Sequence, residues 1–425
     1  MFKPPGGLLV LLGLSGCANG TISVPDPVSL DGGLSWYGVI GPLVASRCAS
    51  CHRSGDIAPF PLETYPQFKT MSGAAAQSVS ERRMPPFPPD QSAAAGCPTL
   101  EDVRKMSEEE RRALLDWVDA GAPEGVPRDL PPPKPNRPLG DPTDRWAIDE
   151  PYISKRTSGD DYRCFVVRPN NLVALSIAAV SVEPDQRSIV HHASVWLVPP
   201  AQLEKVRALE AQDPEPGYEC FGGVGLDTAY PTGFWVPGND APPVPPDGSV
   251  GGYLSPGWAW VVQIHYNLHG PMPADRSSVV MWRGNFLITQ VPHDIIVGNT
   301  DFSLPPNART TVEANGRVTS KNEYPALNQG WEGRIYAVWG HQHPLGTSLQ
   351  LDLIHSDGSE QCLLHIPRWD FHWQSIYRLE NFVSARAGDT LRARCTYDNT
   401  SEREVRYGEG TADEMCFASA ALLDP

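Results

Sequence analysis

Proline and glycine punctuate this chain too densely for it to be built from long helices. The 425 residues include 44 prolines and 38 glycines, a composition that favours many turns and short strands. The strand signal becomes clear after Trp146. Runs rich in valine, isoleucine and aromatics occupy residues 163–168, 172–182, 188–198, 258–266, 333–339, 347–354 and 390–397, separated by Gly, Pro, Asn and Asp clusters. This spacing predicts all-β sandwich architecture, in two copies. The length allows two or three domains. The formal charge is −16 and no basic tract interrupts it. Nucleic acid and an anionic lipid surface are thereby excluded as electrostatic partners.

The N-terminus carries Lys3, an apolar run over residues 8–14, and then Ser15-Gly16-Cys17. The run is too short to span a bilayer and fits the apolar region of a secretory leader. Leu14-Ser15-Gly16-Cys17 also resembles a bacterial lipobox. Residues 1–17 are therefore expected to be a leader, with Cys17 lipidated and holding the chain to a membrane. That implies an exported lipoprotein of a bacterium, periplasmic or at the cell surface. An ordinary signal peptide is the alternative. Nine cysteines then need partners in an oxidising compartment. With Cys17, Cys48 and Cys51 set aside, Cys97, Cys164, Cys220, Cys362, Cys395 and Cys416 remain. Six allows a disulfide framework but does not fix its connectivity.

Cys48-Ala49-Ser50-Cys51-His52 has the spacing of a c-type haem attachment site. Two thiols would form thioethers to the porphyrin and His52 would reach the iron. A disulfide or half of a zinc site is the competing reading. Met84, in Arg83-Met84-Pro85-Pro86, is the preferred second axial ligand, since a methionine sulfur suits electron transfer; Met71 and Met106 are weaker choices. A helix should close this unit, with Ser107 and Glu110 as a capping box, Leu114, Trp117 and Val118 on its apolar face, and Gly121 ending it. Residues 36–125 resemble cytochrome c domains, which implies a small all-α haem domain. Residues 126–145, with Pro131-Pro132-Pro133 near the centre, read as a semi-rigid extended spacer.

Histidines and a methionine farther on have ligand character. His341 and His343 are two apart, so on a strand both face one way. Met415 offers a soft thioether, which favours copper(I). His191 and His192 would face opposite ways on a regular strand; both can reach one metal only at a bend or through different ring nitrogens. His265 is a plausible third ligand there. Taken singly, each histidine is more often structural than ligating. His269, His293, His355, His365 and His372 are read as structural or surface, with His365 and His372 kept as substitutes for a ligand. The dense aromatics of residues 366–373 read as core.

The ordered set Val190-His191-His192, Val262-Gln263-Ile264-His265-Tyr266, His341-Gln342-His343 with Leu345-Gly346, and Glu414-Met415-Cys416 resembles the copper type II monooxygenases. These are the group of peptidylglycine α-hydroxylating and dopamine β-monooxygenases. The resemblance spans residues 163–423. It implies two jelly-roll-like β-sandwich domains, at 146–290 and 291–425, each with one copper ion. His191, His192 and His265 would hold the first, and His341, His343 and Met415 the second, where oxygen reacts. It also implies a Cys395–Cys416 disulfide. The peptide-amidating members carry an arginine where this chain has Trp339, and Asn and Tyr where it has Phe417 and Ser419. A peptidylglycine substrate is therefore disfavoured, and Trp339 and Phe417 are expected to wall an apolar pocket.

The expected whole is multidomain: a small all-α haem domain followed by two all-β domains. The expected activity is hydroxylation of a C–H bond in a small organic substrate by O2. Two copper ions and haem c would be the cofactors, with a redox donor to the haem and ascorbate as an external reductant. The alternative is an exported copper and haem electron carrier, or a copper-binding lipoprotein, without hydroxylase chemistry.

Overall fold

A computed structural model describes residues 33–424, apart from 103, 131–138, 239–243, 245–249, 271, 286–287, 320–330 and 409. Cys17 and the leader lie outside the described residues. The chain begins with a helical unit: a π-turn Trp36–Ile40 continuing into the helix Gly41–Arg47, then helices Tyr65–Ser80 and Glu108–Asp119. Trp36, Phe68, Leu114 and Trp117 are fully buried at its centre. The last helix starts as the sequence requires. Glu110 N donates to Ser107 Oγ at 3.1 Å, and Ser107 N donates to Glu110 Oε2 at 2.8 Å. Gly121 follows at φ +86°, the left-handed geometry that glycine adopts without penalty. The helix Tyr65–Ser80 was not announced by any apolar stripe, since Phe68 and Val79 are its only fully buried residues.

The first β unit is one mixed eight-stranded sheet. Its edge-to-edge order is Asp144–Ala147, Ser278–Trp282, Ala179–Glu183, Tyr230–Trp235, Val190–Val198, Ala259–Leu268, Gly159–Val167 and Tyr218–Glu219. A two-stranded ribbon, Leu175–Ile177 with Gly252–Leu254, accompanies it. The strands Ala179–Glu183 and Tyr230–Trp235 are joined only at Val180 and Gly233, and Trp146 of the first strand lies 5.2 Å from Trp260 of the sixth, so the sheet folds over on itself and its two halves share a core as in a sandwich. One sheet face buries Val195, Trp235, Trp260 and Tyr266. The other buries Cys164, Val166, Ala259 and Val261 with Val206 from the helix Leu203–Gln212.

The second β unit has two separate facing sheets. One orders Leu100–Glu101, Ile376–Arg386, Glu332–His341, Cys416–Leu423 and His293–Asn299; the other orders Ala308–Arg317, Thr390–Asn399, Gly346–Ile354 and Glu360–Ile366. Their inner faces share one core, including Ile335, Leu351, Leu363, Leu391 and Leu422. Residues 290–292, where the domain boundary was expected, fall between the strands Ser278–Trp282 and His293–Asn299.

Residues 87–101 depart from the expected haem unit. Cys97 is bonded to Cys362, Leu100 and Glu101 pair with Leu379 and Arg378, and Arg104 Nη2 donates to Ser375 Oγ at 2.7 Å. Leu100 completes a sheet edge and joins the second unit's core; that burial outweighs staying with the helices. Of the spacer, Leu130 packs on the helical core and residues 144–147 already form a strand. Its central prolines, 131–133, lie outside the described residues. Cys164–Cys220 and Cys395–Cys416 are the other disulfides, and three such bonds mark an exported chain. Among the described residues no helix is long and apolar enough to cross a membrane.

Candidate metal centres

His192 and His265 meet because their strands place them directly opposite one another. Their neighbour Tyr162 is opposite His265 on the other side and stacks on its ring at 4.1 Å and 9°. His191 joins them through a bulge. The ladder pairs His265 with His192 and Tyr266 with Val190, so His191 has no residue opposite. An extra residue re-aims the chain locally, and two sequence neighbours turn to one place. His191 Nδ1 lies 3.2 Å from His192 Nδ1, which lies 3.3 Å from His265 Nδ1. Imidazole nitrogens at about 2.0–2.1 Å from a shared ion stand at roughly this separation from one another. Hydrogen bonding alone does not suit the trio. Asp160 Oδ1 accepts a hydrogen bond from His265 Nε2 at 2.9 Å, which leaves a lone pair on Nδ1, and His192 Nδ1 can donate to only one of its two neighbours. The donor set therefore fits a cation that accepts imidazole nitrogen.

The second set is built differently. Trp339 and His341 share a face of the strand Glu332–His341, and their rings stack at 5.7 Å and 8°. The His341 and His343 rings are 5.1 Å apart and nearly perpendicular. His341 Nδ1 donates to Gln374 Oε1 at 2.6 Å and His343 Nδ1 to the Asp413 carbonyl at 3.1 Å. Both Nε2 atoms keep the lone pair that a ligand needs. Glu414 fastens Met415 to this turn: its carboxylate accepts from the backbone N–H of His343 at 2.9 Å, Leu345 at 2.6 Å and Met415 at 3.3 Å. Phe417 is opposite His341 in the ladder, with its ring over Gly298.

The two sets face each other. Phe371 lies between them, its ring 5.7 Å from that of His191 and 5.7 Å from that of His343. Thr411 Oγ1, from the second unit, donates to Asp160 Oδ2 at 3.1 Å. Burial pulls the His191 and His341 imidazoles down to about 4 and His192 well below its ordinary range. Neutral rings are what metal ligation requires. Asp160 is held below the usual carboxylate range, chiefly by the His265 hydrogen bond. Burial lifts Glu414 to about 7.

Cys48, Cys51, His52 and Met84 all line one cavity of about 580 Å3, within the range of roughly 300–1,000 Å3 that small-molecule and cofactor sites occupy. Neither thiol takes part in a disulfide, and burial pushes Cys48 up to about 12. His52 Nδ1 donates to the Phe60 carbonyl at 3.1 Å, which leaves the lone pair on Nε2. Met71 lines the cavity too, whereas Met106 is buried in the helical core. The residues present therefore fit a covalently attached haem.

Several roles were not legible in the sequence. Asp160, Gln374 and the Asp413 carbonyl orient His265, His341 and His343 across strand pairings and loops that leave no local pattern. Residues 366–373 are not simply core: Trp369 is buried, but Phe371 separates the two histidine sets, and His372 and Trp373 line the cavity with His269. His365 instead faces Asp90, 3.8 Å away, and His355 faces Asp389.

Residues 295–419 match the family model of the copper type II ascorbate-dependent monooxygenase C-terminal domain. The chain is 24% identical over 177 residues to MOXD1 homolog 2 of Drosophila melanogaster, an alignment covering 39% of this chain and 23% of that protein. It is 28% identical over 163 residues to tyramine beta-hydroxylase of Caenorhabditis briggsae, covering 37% and 27%. The chain thus spans about a quarter of the length of these curated relatives. Together these matches support the copper type II monooxygenase family. Among solved structures, the major capsid protein P2 from bacteriophage PM2 overlaps 66% of this chain and 97% of its own at a TM-score of 0.26 and 11% identity, too distant to carry an argument.

Proposed function

We propose that this chain is a copper-dependent monooxygenase that hydroxylates a C–H bond of a small organic molecule, with a covalent haem at Cys48, Cys51 and His52 as its built-in electron donor. The observation that carries this reading is the pair of histidine sets facing one another across Phe371, each with its ring nitrogens fixed for ligation. In the balanced reaction one oxygen atom of O2 enters the C–H bond and the other leaves as water, with two electrons and two protons consumed. Bound copper supplies the one-electron and oxygen chemistry; the remaining work falls to the chain.

His191, His192 and His265 would hold one ion, and His341, His343 and Met415 the other. Asp160, Gln374 and the Asp413 carbonyl fix the tautomers. Burial keeps the His191, His192 and His341 imidazoles uncharged at neutral pH, so protons do not compete with metal there. The half-buried Phe371 ring packs against both sets. Trp339, stacked on His341, offers an apolar wall where amidating relatives would present an arginine, so the favoured substrate lacks a carboxylate at that place. An external donor, with ascorbate as one choice, would reduce the haem. Lipidation of Cys17 and a bacterial periplasmic or surface location belong to the same proposal; the mass of the mature N-terminal peptide tests them.

The direct test loads the purified chain with copper, reduces it without oxygen, then adds 18O2 and a panel of apolar and aromatic substrates. Mass spectrometry should find one labelled oxygen in product. Oxygen consumption that yields peroxide and never a hydroxylated product would leave the electron-carrier alternative standing.

A further inference from the structure

The cavity at Cys48–His52 is not closed by the helical unit alone. Ser188, Ile189 and His191 of the first β unit and His372 and Trp373 of the second complete its wall. His191 therefore belongs to two places at once. Its Nδ1 is 3.2 Å from His192 Nδ1 in the three-histidine set, and the same residue lines the cavity that holds Cys48, Cys51 and His52. Fixed charges on either side of one half-buried ring are separated by protein rather than by bulk water, so their interaction is only weakly screened.

We propose that His191 makes the three-histidine site and the haem cavity a thermodynamically linked pair: a cation bound by His191, His192 and His265 raises the reduction potential of the haem, and reduction of the haem tightens cation binding. This rests on the haem reading given above. The sign follows from charge. One electron from an external reductant converts ferric to ferrous haem and adds one negative charge to the cavity, and a cation next to it stabilises that form. Linkage makes the two effects equal: the factor by which reduction strengthens metal binding is the factor by which metal favours reduction. Its functional meaning is economy of electrons. An unloaded chain holds a haem that is harder to reduce, so fewer electrons are lost to oxygen where no hydroxylation can follow.

The test uses the full haem-bearing chain and zinc, which binds imidazole but takes no electrons. The haem is titrated with dithionite through redox mediators, with and without saturating zinc, and zinc content is measured at each end point. Reduced protein should bind zinc about tenfold more tightly than oxidised protein, which is an upward potential shift of about 59 mV for one electron. His192→Ala, which removes a ligand that does not line the cavity, should abolish the shift. The His341→Ala/His343→Ala double variant should keep it. A haem potential that ignores bound zinc, or a shift that survives His192→Ala, overturns the linkage while leaving the haem assignment intact. A purified chain with no covalent haem absorbance removes both.

Discussion

Replacing Asp160 probes whether a carboxylate outside the ligand set governs the first metal site. Its Oδ1 accepts from His265 Nε2 at 2.9 Å and from Asn267 Nδ2 at 3.2 Å, and its Oδ2 accepts from Thr411 at 3.1 Å. His265 is almost wholly buried while the Asp160 side chain is about one-third exposed, so only a mobile water can replace the lost acceptor at Nε2. In Asp160→Ala, the imidazole is free to carry its proton on Nδ1, the atom facing His192. A charge-assisted hydrogen bond contributes about 1.5–3 kcal/mol. Losing the partner of a ligating histidine typically costs about 10–100-fold in metal affinity, which is about 1.4–2.7 kcal/mol. The two estimates agree, so the site should weaken by that factor in Asp160→Ala and by about tenfold in Asp160→Asn, which keeps an acceptor but not the charge. Competition titrations against a chelator of known affinity, in a background where His341 and His343 are both alanine, isolate this site. Unchanged affinity in Asp160→Ala would refute the claim that Asp160 sets the His265 tautomer.

Other consequences follow from the same geometry. Gln374→Leu removes the acceptor of His341 Nδ1 and should weaken the second site about 10–100-fold while leaving the first untouched, as read by copper stoichiometry under chelator. The Cys97→Ser/Cys362→Ser double variant should lose about 2–5 kcal/mol of stability, measured by denaturant unfolding under non-reducing conditions. Acid should destabilise the metal-free chain. His191 and His341 stand near 4 when folded against 6.5 for an ordinary imidazole, so the unfolded chain takes up protons first as pH falls. Stability should drop between about pH 6.5 and 4, by about 3 kcal/mol at most for each of these two histidines. A flat profile across that window, measured by urea midpoints, would argue against neutral, buried rings.

The parts of the site that could be read from sequence are those whose spacing matches a local geometry. His341 and His343 obey the two-residue period of a strand, and Cys48, Cys51 and His52 sit within one turn. The His191–His192 pair posed a contradiction for a regular strand, and only a bulge in the ladder with Ala259–Leu268 resolves it. A bulge depends on register between strands about seventy residues apart, which no local pattern encodes. Asp160, Gln374 and Phe371 were invisible for the same reason. They reach the ligands through pairing and loop docking, and nothing in their neighbours marks them. The capping box at Ser107 was legible because its bonds span three residues. The departure of residues 87–101 to a sheet edge was not, because its partners lie some 270 positions on.

That departure has a bearing on biogenesis. Cys97 finds its partner 265 residues later, and the short strand Leu100–Glu101 has nothing to pair with until Ile376–Arg386 exists. A chain emerging from a translocon N-terminus first would therefore carry an open, unfinished pocket and an unpaired thiol for most of its synthesis. Any machinery that fastens a prosthetic group to Cys48 and Cys51 would meet them exposed, before the last third of the polypeptide arrives to shut the door.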